Sequence, residues 1–180
     1  MDHVRVSPLL RARYSPLRFD QGHELADEQL EALLEAARWA PSAGNSQPWA
    51  FHPRRRGEEG HATLVEHLAG SSRLWAPDAS ALVVNLARRE VDESGMPYSE
   101  FADYDLGQAV AHMTLQAQAM DLACRQFRAF DLDGLEEALG VRPGWHILTM
   151  TAVGVAAAAA PDGRERRSIV DLRTAGRSDA

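Results

Sequence analysis

Three stretches of the 180-residue chain carry side chains that could do chemistry. Arg13-Tyr14-Ser15, followed by Arg18 and Phe19, lies near the amino terminus, Ala40 to Trp49 reads APSAGNSQPW, and Arg164-Glu165-Arg166-Arg167 lies near the carboxyl end. The outer two are cationic and the middle one is dense in neutral hydrogen-bonding groups. Guanidinium forks match phosphate oxygens, and amides and hydroxyls match the polar edge of a ring. Together the three describe a site for a phosphorylated, planar ligand; alone, each reads as a helix-end arginine, a turn or a solvated basic tail. Other chemistries are not written in the chain: it has no GxGxxG, GxxxxGK(S/T), GxSxG, CxxC or HExxH pattern. His52, His61 and His67 lack ligand spacing and read as solvated surface, and Cys124 reads as a small buried hydrophobe on a helix face rather than a nucleophile.

These stretches need elements to position them. Asp27 to Ala40 places Leu30, Leu33, Leu34 and Ala37 on one helical stripe, with Asp27 as N-cap and Pro41 ending the helix near Trp39. Pro41 to Pro48 is then a polar turn pinned by two prolines, and Trp49 to His52 opens a strand. Arg54 to Gly60 reads as a turn and 62–69 as a short helix. Ala81 to Leu86 and His146 to Ala156 read as buried strands, and Asp131 caps a helix to Leu139. Ser99 to Cys124 reads as the longest helix, with Leu106, Ala109, Val110, Met113, Ala117, Met120 and Ala123 in helical register and Ala102, Ala111 and Ala119 leaving its other side small. Such a helix belongs in a core or a dimer interface. Trp39 and Trp49 read as core, and Trp75, Tyr98, Tyr104 and Phe127 as candidates for packing around a pocket.

With 45% hydrophobic and 25% charged residues, the composition is that of one ordinary globular domain, read here as residues 11–171 with a tail at 172–180. A formal charge of -7 argues against nucleic acid or an anionic membrane surface as partner. No stretch approaches the roughly 20 apolar residues a spanning helix needs, and a lone cysteine suits a reducing compartment, so the expected location is the cytoplasm.

The text RYSPLRFD, then LLEAARWAPSAGNSQPWAF, the long helix running into LACRQFRAFD, the strand ending TAVGV and the closing RERRS resembles the flavin-dependent nitroreductase family from about Arg11 to Asp171. APSAGNSQPW is its most characteristic part. The resemblance implies an α+β fold, an α/β/α sandwich with a mixed central sheet, assembled as an intertwined homodimer with FMN at the subunit interface. It implies that Arg13, Tyr14 and Ser15 reach the FMN phosphate and ribityl chain, and that Arg164 and Arg166 close on the phosphate. Pro41, Ser42, Ala43, Asn45 and Gln47 would border the flavin from the partner subunit, and Gln126, Phe127, Arg128 and Ala129 would cover one flavin face. Leu17 stands where a Lys or Arg is common in the family. That implies either Arg18 turned inward or a less oxidising flavin. Ser72 replaces an asparagine, and Gln126 and Ala129 replace a proline and a glycine.

The activity implied is NAD(P)H-dependent reduction of a small, electron-poor acceptor such as a nitroarene, quinone or enone, by a ping-pong mechanism through flavin N5 and without metal or side-chain nucleophile. Alternatives on the same resemblance are a desaturase, a dehalogenase or a deazaflavin-dependent reductase, or a flavin-binding protein with little turnover.

Overall fold

The computed structural model describes residues 6–91 and 95–173. In chain order the elements are α1 (Pro8–Ala12), α2 (Asp27–Arg38), β1 (Trp49–Arg55), α3 (His61–Glu66), β2 (Ala81–Arg88), α4 (Ala102–Ala119), β3 (Ala123–Phe127), α5 (Leu132–Leu139), β4 (Trp145–Gly154) and α6 (Ile169–Arg173). The strands form one sheet in the order β1-β2-β4-β3. Of the expected tail at 172–180, Leu172 and Arg173 end α6 and 174–180 lie outside the described residues.

Period-two alternation distributes the sheet between two layers of helix. From β2, Leu82, Val84 and Leu86 pack with Leu64, Leu68, Leu135, Ile147 and Met150 on the side of α3 and α5. Ala81 and Val83 face the other way, packing with Leu33 and Ala37 of α2, Ala109 and Met113 of α4, and Val153. The α4 side also carries a buried polar pair of contacts, Asn85 Nδ2 donating to Thr149 Oγ1 at 3.0 Å and Thr151 Oγ1 at 2.8 Å. A bulge between Asn85 and Leu86 makes Leu148 the extra residue on β4.

Every strand pair is antiparallel, which corrects the expected mixed sheet among the described residues. Helix α5 has eight residues and spans about 12 Å. It buries Leu135 in the core, and β4 then runs against β3, pairing Ala123 with Gly154 and Phe127 with Met150.

The long helix is also shorter than expected. It closes at Ala119 with Met120 as C-cap, Asp121 takes φ 56°, and Leu122 N–H reaches back to the Ala117 carbonyl. The chain then re-emerges as β3, so Cys124 lies on a strand, 1% exposed, and Gln126 and Phe127 are strand residues rather than a turn. Helix α2 starts at its expected cap, Asp27, one residue early: Ala26 is N-cap, and its N–H is held by Gln29 Oε1 at 3.0 Å. Asp131 caps α5 as expected, accepting from Gly134 N–H. Strand β1 runs on through Arg55 where a turn was expected, because Pro53 to Arg55 stay in register with Val83 to Ala81. Trp39 is exposed rather than core, its indole N–H spent on Glu35 at the helix end, and Trp49 is half-buried. His61 is buried and His52 half-buried, not solvated; burial pushes the pKa of both below the ordinary histidine value.

At one end of the two central strands, Gly144 takes φ +79° and its carbonyl accepts N–H bonds from both Arg89 and Glu90, while His146 Nε2 lies 2.6 Å from Glu90 Oε2. This fastens the start of β4 to the end of β2.

Met113 is fully buried between α2, α4 and the sheet. Met113→Ala is expected to cost about 2–5 kcal/mol of stability, read as a lowered denaturant midpoint with an unchanged m-value.

Candidate functional site

The two cationic stretches meet. Residues 18–20 run antiparallel to 155–157, with Asp20 N–H on the Val155 carbonyl, Ala157 N–H on the Arg18 carbonyl and a bridge between Phe19 and Ala156. Tyr14 Oη then donates to the Ala158 carbonyl at 2.5 Å, and Arg164 donates through Nη1 to the Arg13 carbonyl and through Nη2 to the Arg11 carbonyl, each at 2.5 Å. Arg164 thus fastens the carboxyl-terminal segment to the last turn of α1 and its C-cap. Arg166, with Val6, Leu10, Arg11 and Arg164, lines a shallow hollow of ~580 Å³ beside this junction. Ser15 and Leu17 are exposed, Leu17 at 78%.

Arg13 also lines a groove of ~360 Å³ along α4, with Leu10, Val110, Ala111, Leu115, Thr114 and Gln126. Its walls are apolar and its polar groups sit together. Gln126 Nε2 donates to Thr114 Oγ1 at 2.8 Å, and Thr114 donates to the Val110 carbonyl at 2.7 Å. A hydroxyl has one proton, so Thr114 receives from Gln126 and the glutamine's Oε1 is left as an acceptor. The structure therefore brings Arg13 and Gln126 to one groove, with Tyr14, Arg164 and Arg166 at the adjoining junction.

The rest of the stretch 126–129 turns to other work. Phe127 packs edge-on to Trp75, centroids 5.0 Å apart, and against Phe130, in the core rather than on a pocket wall. Arg128 is exposed and donates to the Leu148 carbonyl at 2.8 Å. The Ala129 carbonyl receives Ala69 N–H and the hydroxyl of Ser72, which is 1% exposed. Ser72 is thus an internal clamp, not a ligand contact.

Arg18 is not turned inward: it donates to the Leu74 carbonyl at 2.7 Å and lies 4.0 Å from Asp78. Beside Leu17 the cation comes instead from β3. Arg125 donates to the Pro16 carbonyl at 3.2 Å, its guanidinium 3.9 Å from the Trp75 ring centroid. Sequence spacing could not find Arg125, because the pairing spans 109 positions.

Pro41 to Gln47 sits at the amino end of α4, and none of its residues lines either cavity of the same chain. Ala43 N–H donates to Asp105 Oδ2 at 3.0 Å, and Gln108 Nε2 reaches the Pro41 carbonyl at 3.5 Å. Asp105, 2% exposed, is about 200° around the helix from Gly107 on the groove side. Pro41, Ala43, Asn45 and Gln47 are exposed, and Ser42 is half-buried, its Oγ accepting from Gln47 N–H.

Residues 10–96 match the sequence model described as the Nitroreductase family. An oxygen-insensitive NADPH nitroreductase of Helicobacter pylori is 41% identical over 51 residues, 28% of this chain and 24% of that protein. An oxygen-insensitive NAD(P)H nitroreductase of Salmonella typhimurium is 33% identical over 97 residues, 52% of this chain and 43% of that protein. The matched stretches thus span from a quarter to under half the length of these curated relatives. A solved structure described as an oxidoreductase containing FMN superposes with a TM-score of 0.87 at 27% identity, covering 99% of this chain and 95% of that one. The chain is thus similar to the nitroreductase family in sequence over residues 10–96 and shares the fold of an FMN-containing oxidoreductase.

The one cysteine contributes no nucleophile. Cys124 is buried and desolvation pushes its thiol up to about 12. Between the ordinary thiol value and that figure the native state keeps a proton the unfolded chain has released, so stability falls as pH rises through this window. A disulfide reagent at pH 8 is expected to titrate no thiol in the native protein and one after denaturation.

Proposed function

We propose that this chain is an FMN-dependent oxidoreductase that takes two electrons from NADH or NADPH and delivers them to a small electron-poor acceptor. The observation that carries the reading is the seating of Arg164 on the carbonyls of Arg11 and Arg13, which brings the basic groups of both chain ends to one junction. The groove fits the cofactor's chemistry: Arg13 offers a guanidinium to a phosphate, while Leu10, Val110 and Leu115 offer apolar walls to a ring.

On this reading Arg13, Tyr14, Ser15 and Arg166 hold the phosphate and ribityl end, with Arg164 as the fastener that positions them. Gln126 presents its amide to the ring, and Leu17 and the backbone of 127–129 border it. Pro41, Ser42, Ala43, Asn45 and Gln47 serve the site of a second copy, since in their own chain they line neither cavity; the assembly is a homodimer. The exposed Gly107 and Ala111 on α4 let a partner approach closely. Arg125, beside Pro16, supplies the positive charge that position 17 lacks.

When bound, FMN supplies the hydride and two-electron chemistry. The chain's part is to bind, orient and place charge. Donor and acceptor would use one place in turn, which gives ping-pong kinetics. Among the described residues no helix is long and apolar enough to cross a membrane, and the reduced, buried thiol suits a cytoplasmic enzyme.

The purified protein is expected to show the visible absorption of bound flavin, bleached under anaerobic conditions by NADH or NADPH; a bound flavin that neither nucleotide bleaches would leave a binding protein. Arg13→Ala is expected to weaken FMN binding by about 1.5–3 kcal/mol through loss of a charge-assisted contact, read by titration of flavin fluorescence.

A further inference from the structure

The turn from Pro41 to Pro48 holds three residues in left-handed geometry, which Gly44 and Asn45 accept readily and Gln47 does not. Gly44 has φ 58°, and two non-glycine residues, Asn45 and Gln47, have φ 55° and 46°. A residue such as Gln47 keeps left-handed geometry only where its surroundings fix it. Internal bonds do part of this: Asn45 N–H to the Ser42 carbonyl, Ser46 N–H to the Ala43 carbonyl, and Gln47 N–H to Ser42 Oγ. Asp105 anchors the near side through Ala43.

The far side is held by residues from beyond β2. Tyr98 Oη donates to the Ser46 carbonyl at 3.0 Å, between Asn45 and Gln47. Arg88 N–H donates to the Pro48 carbonyl at 2.9 Å, closing the turn's last residue onto the end of β2. The same Arg88 lays its guanidinium 4.3 Å from the Tyr98 ring centroid and donates through Nη2 to the Val91 carbonyl, while Tyr98 N–H donates to the Arg89 carbonyl. Tyr98 is therefore fixed at its backbone, its ring and its hydroxyl.

We propose that Tyr98, set by Arg88, is a positioning residue that aims Asn45 and Gln47 at the flavin site of the second copy. This rests on the flavin reading above. The segment joining β2 to α4 then sets the geometry of the flavin-facing turn from outside it, without touching the cofactor.

Tyr98→Phe removes the hydroxyl and keeps the ring under Arg88. Three measurements on the full chain decide the matter: amide exchange of the 41–48 peptide without flavin, the FMN dissociation constant, and the melting temperature. The expected result is severalfold faster exchange in 41–48 with 145–154 unchanged, and FMN binding weakened about tenfold, with the melting temperature unmoved. Unchanged exchange would overturn the proposal, whether or not FMN binding falls. Faster exchange with an unchanged dissociation constant would also overturn it, since the hydroxyl would then hold the turn without serving the site. Arg88→Met is expected to move both readouts in the same direction by less. If the wild-type protein binds no FMN, the functional reading falls, and the exchange comparison still shows whether Tyr98 holds the turn.

Discussion

The molecule depends on one charge-assisted junction: a guanidinium near the end of the chain donating to two carbonyls at the close of its first helix. Helix α1 has five residues and buries none of them, so neither its propensity nor its packing could hold it. Arg164 supplies the tie that its own sequence cannot. Because α1 carries Leu10, and Arg13 follows directly, the tie also fixes one wall of the groove on α4. Bonds from an ionised donor to backbone acceptors are stronger than neutral ones, and here they close a loop of about 150 residues.

Helix α4 is the second constraint. One side of it, through Ala109 and Met113, is part of the core; another carries the groove; its first turn holds the Pro41–Pro48 turn through Asp105. A rigid rod that bears both sets of groups fixes the spacing between them in each protomer, and in a symmetric pair it fixes the spacing across the interface as well.

What the sequence disclosed followed the strength of each local signal. Helix α2 was legible because Leu30, Leu33, Leu34 and Ala37 make an unbroken stripe, and β2 because its apolar residues are branched and continuous. Strand β3 was hidden, since ACRQF follows eighteen helical residues after only three others, Met120, the left-handed Asp121 and Leu122. Strand direction was equally hidden: the stretch from 128 to 144 that joins β3 to β4 is long enough for a crossover, so either direction fits the sequence. Trp39 misled because aromatic size argues for burial, while a glutamate four residues earlier gave its indole a partner at the surface. Residue type and order were enough to group the basic stretches that hold Arg13 and Arg164, which the structure joins. Arg125 and Ser72 could not be read so, since their partners at Pro16 and Ala129 are set by tertiary pairing alone.

The bare Cα of Gly144 limits how this fold can drift. A methyl group built there would lie 2.5 Å from the Glu90 carbonyl oxygen, a backbone atom with nowhere to yield. Any larger residue would therefore lever the end of β2 off the start of β4, and the displacement would travel through Arg89 to the segment that bears Tyr98. A glycine that lines neither the hollow by Arg166 nor the groove on α4 is thereby closed to mutational change, and divergence of the sequence has to find its freedom elsewhere.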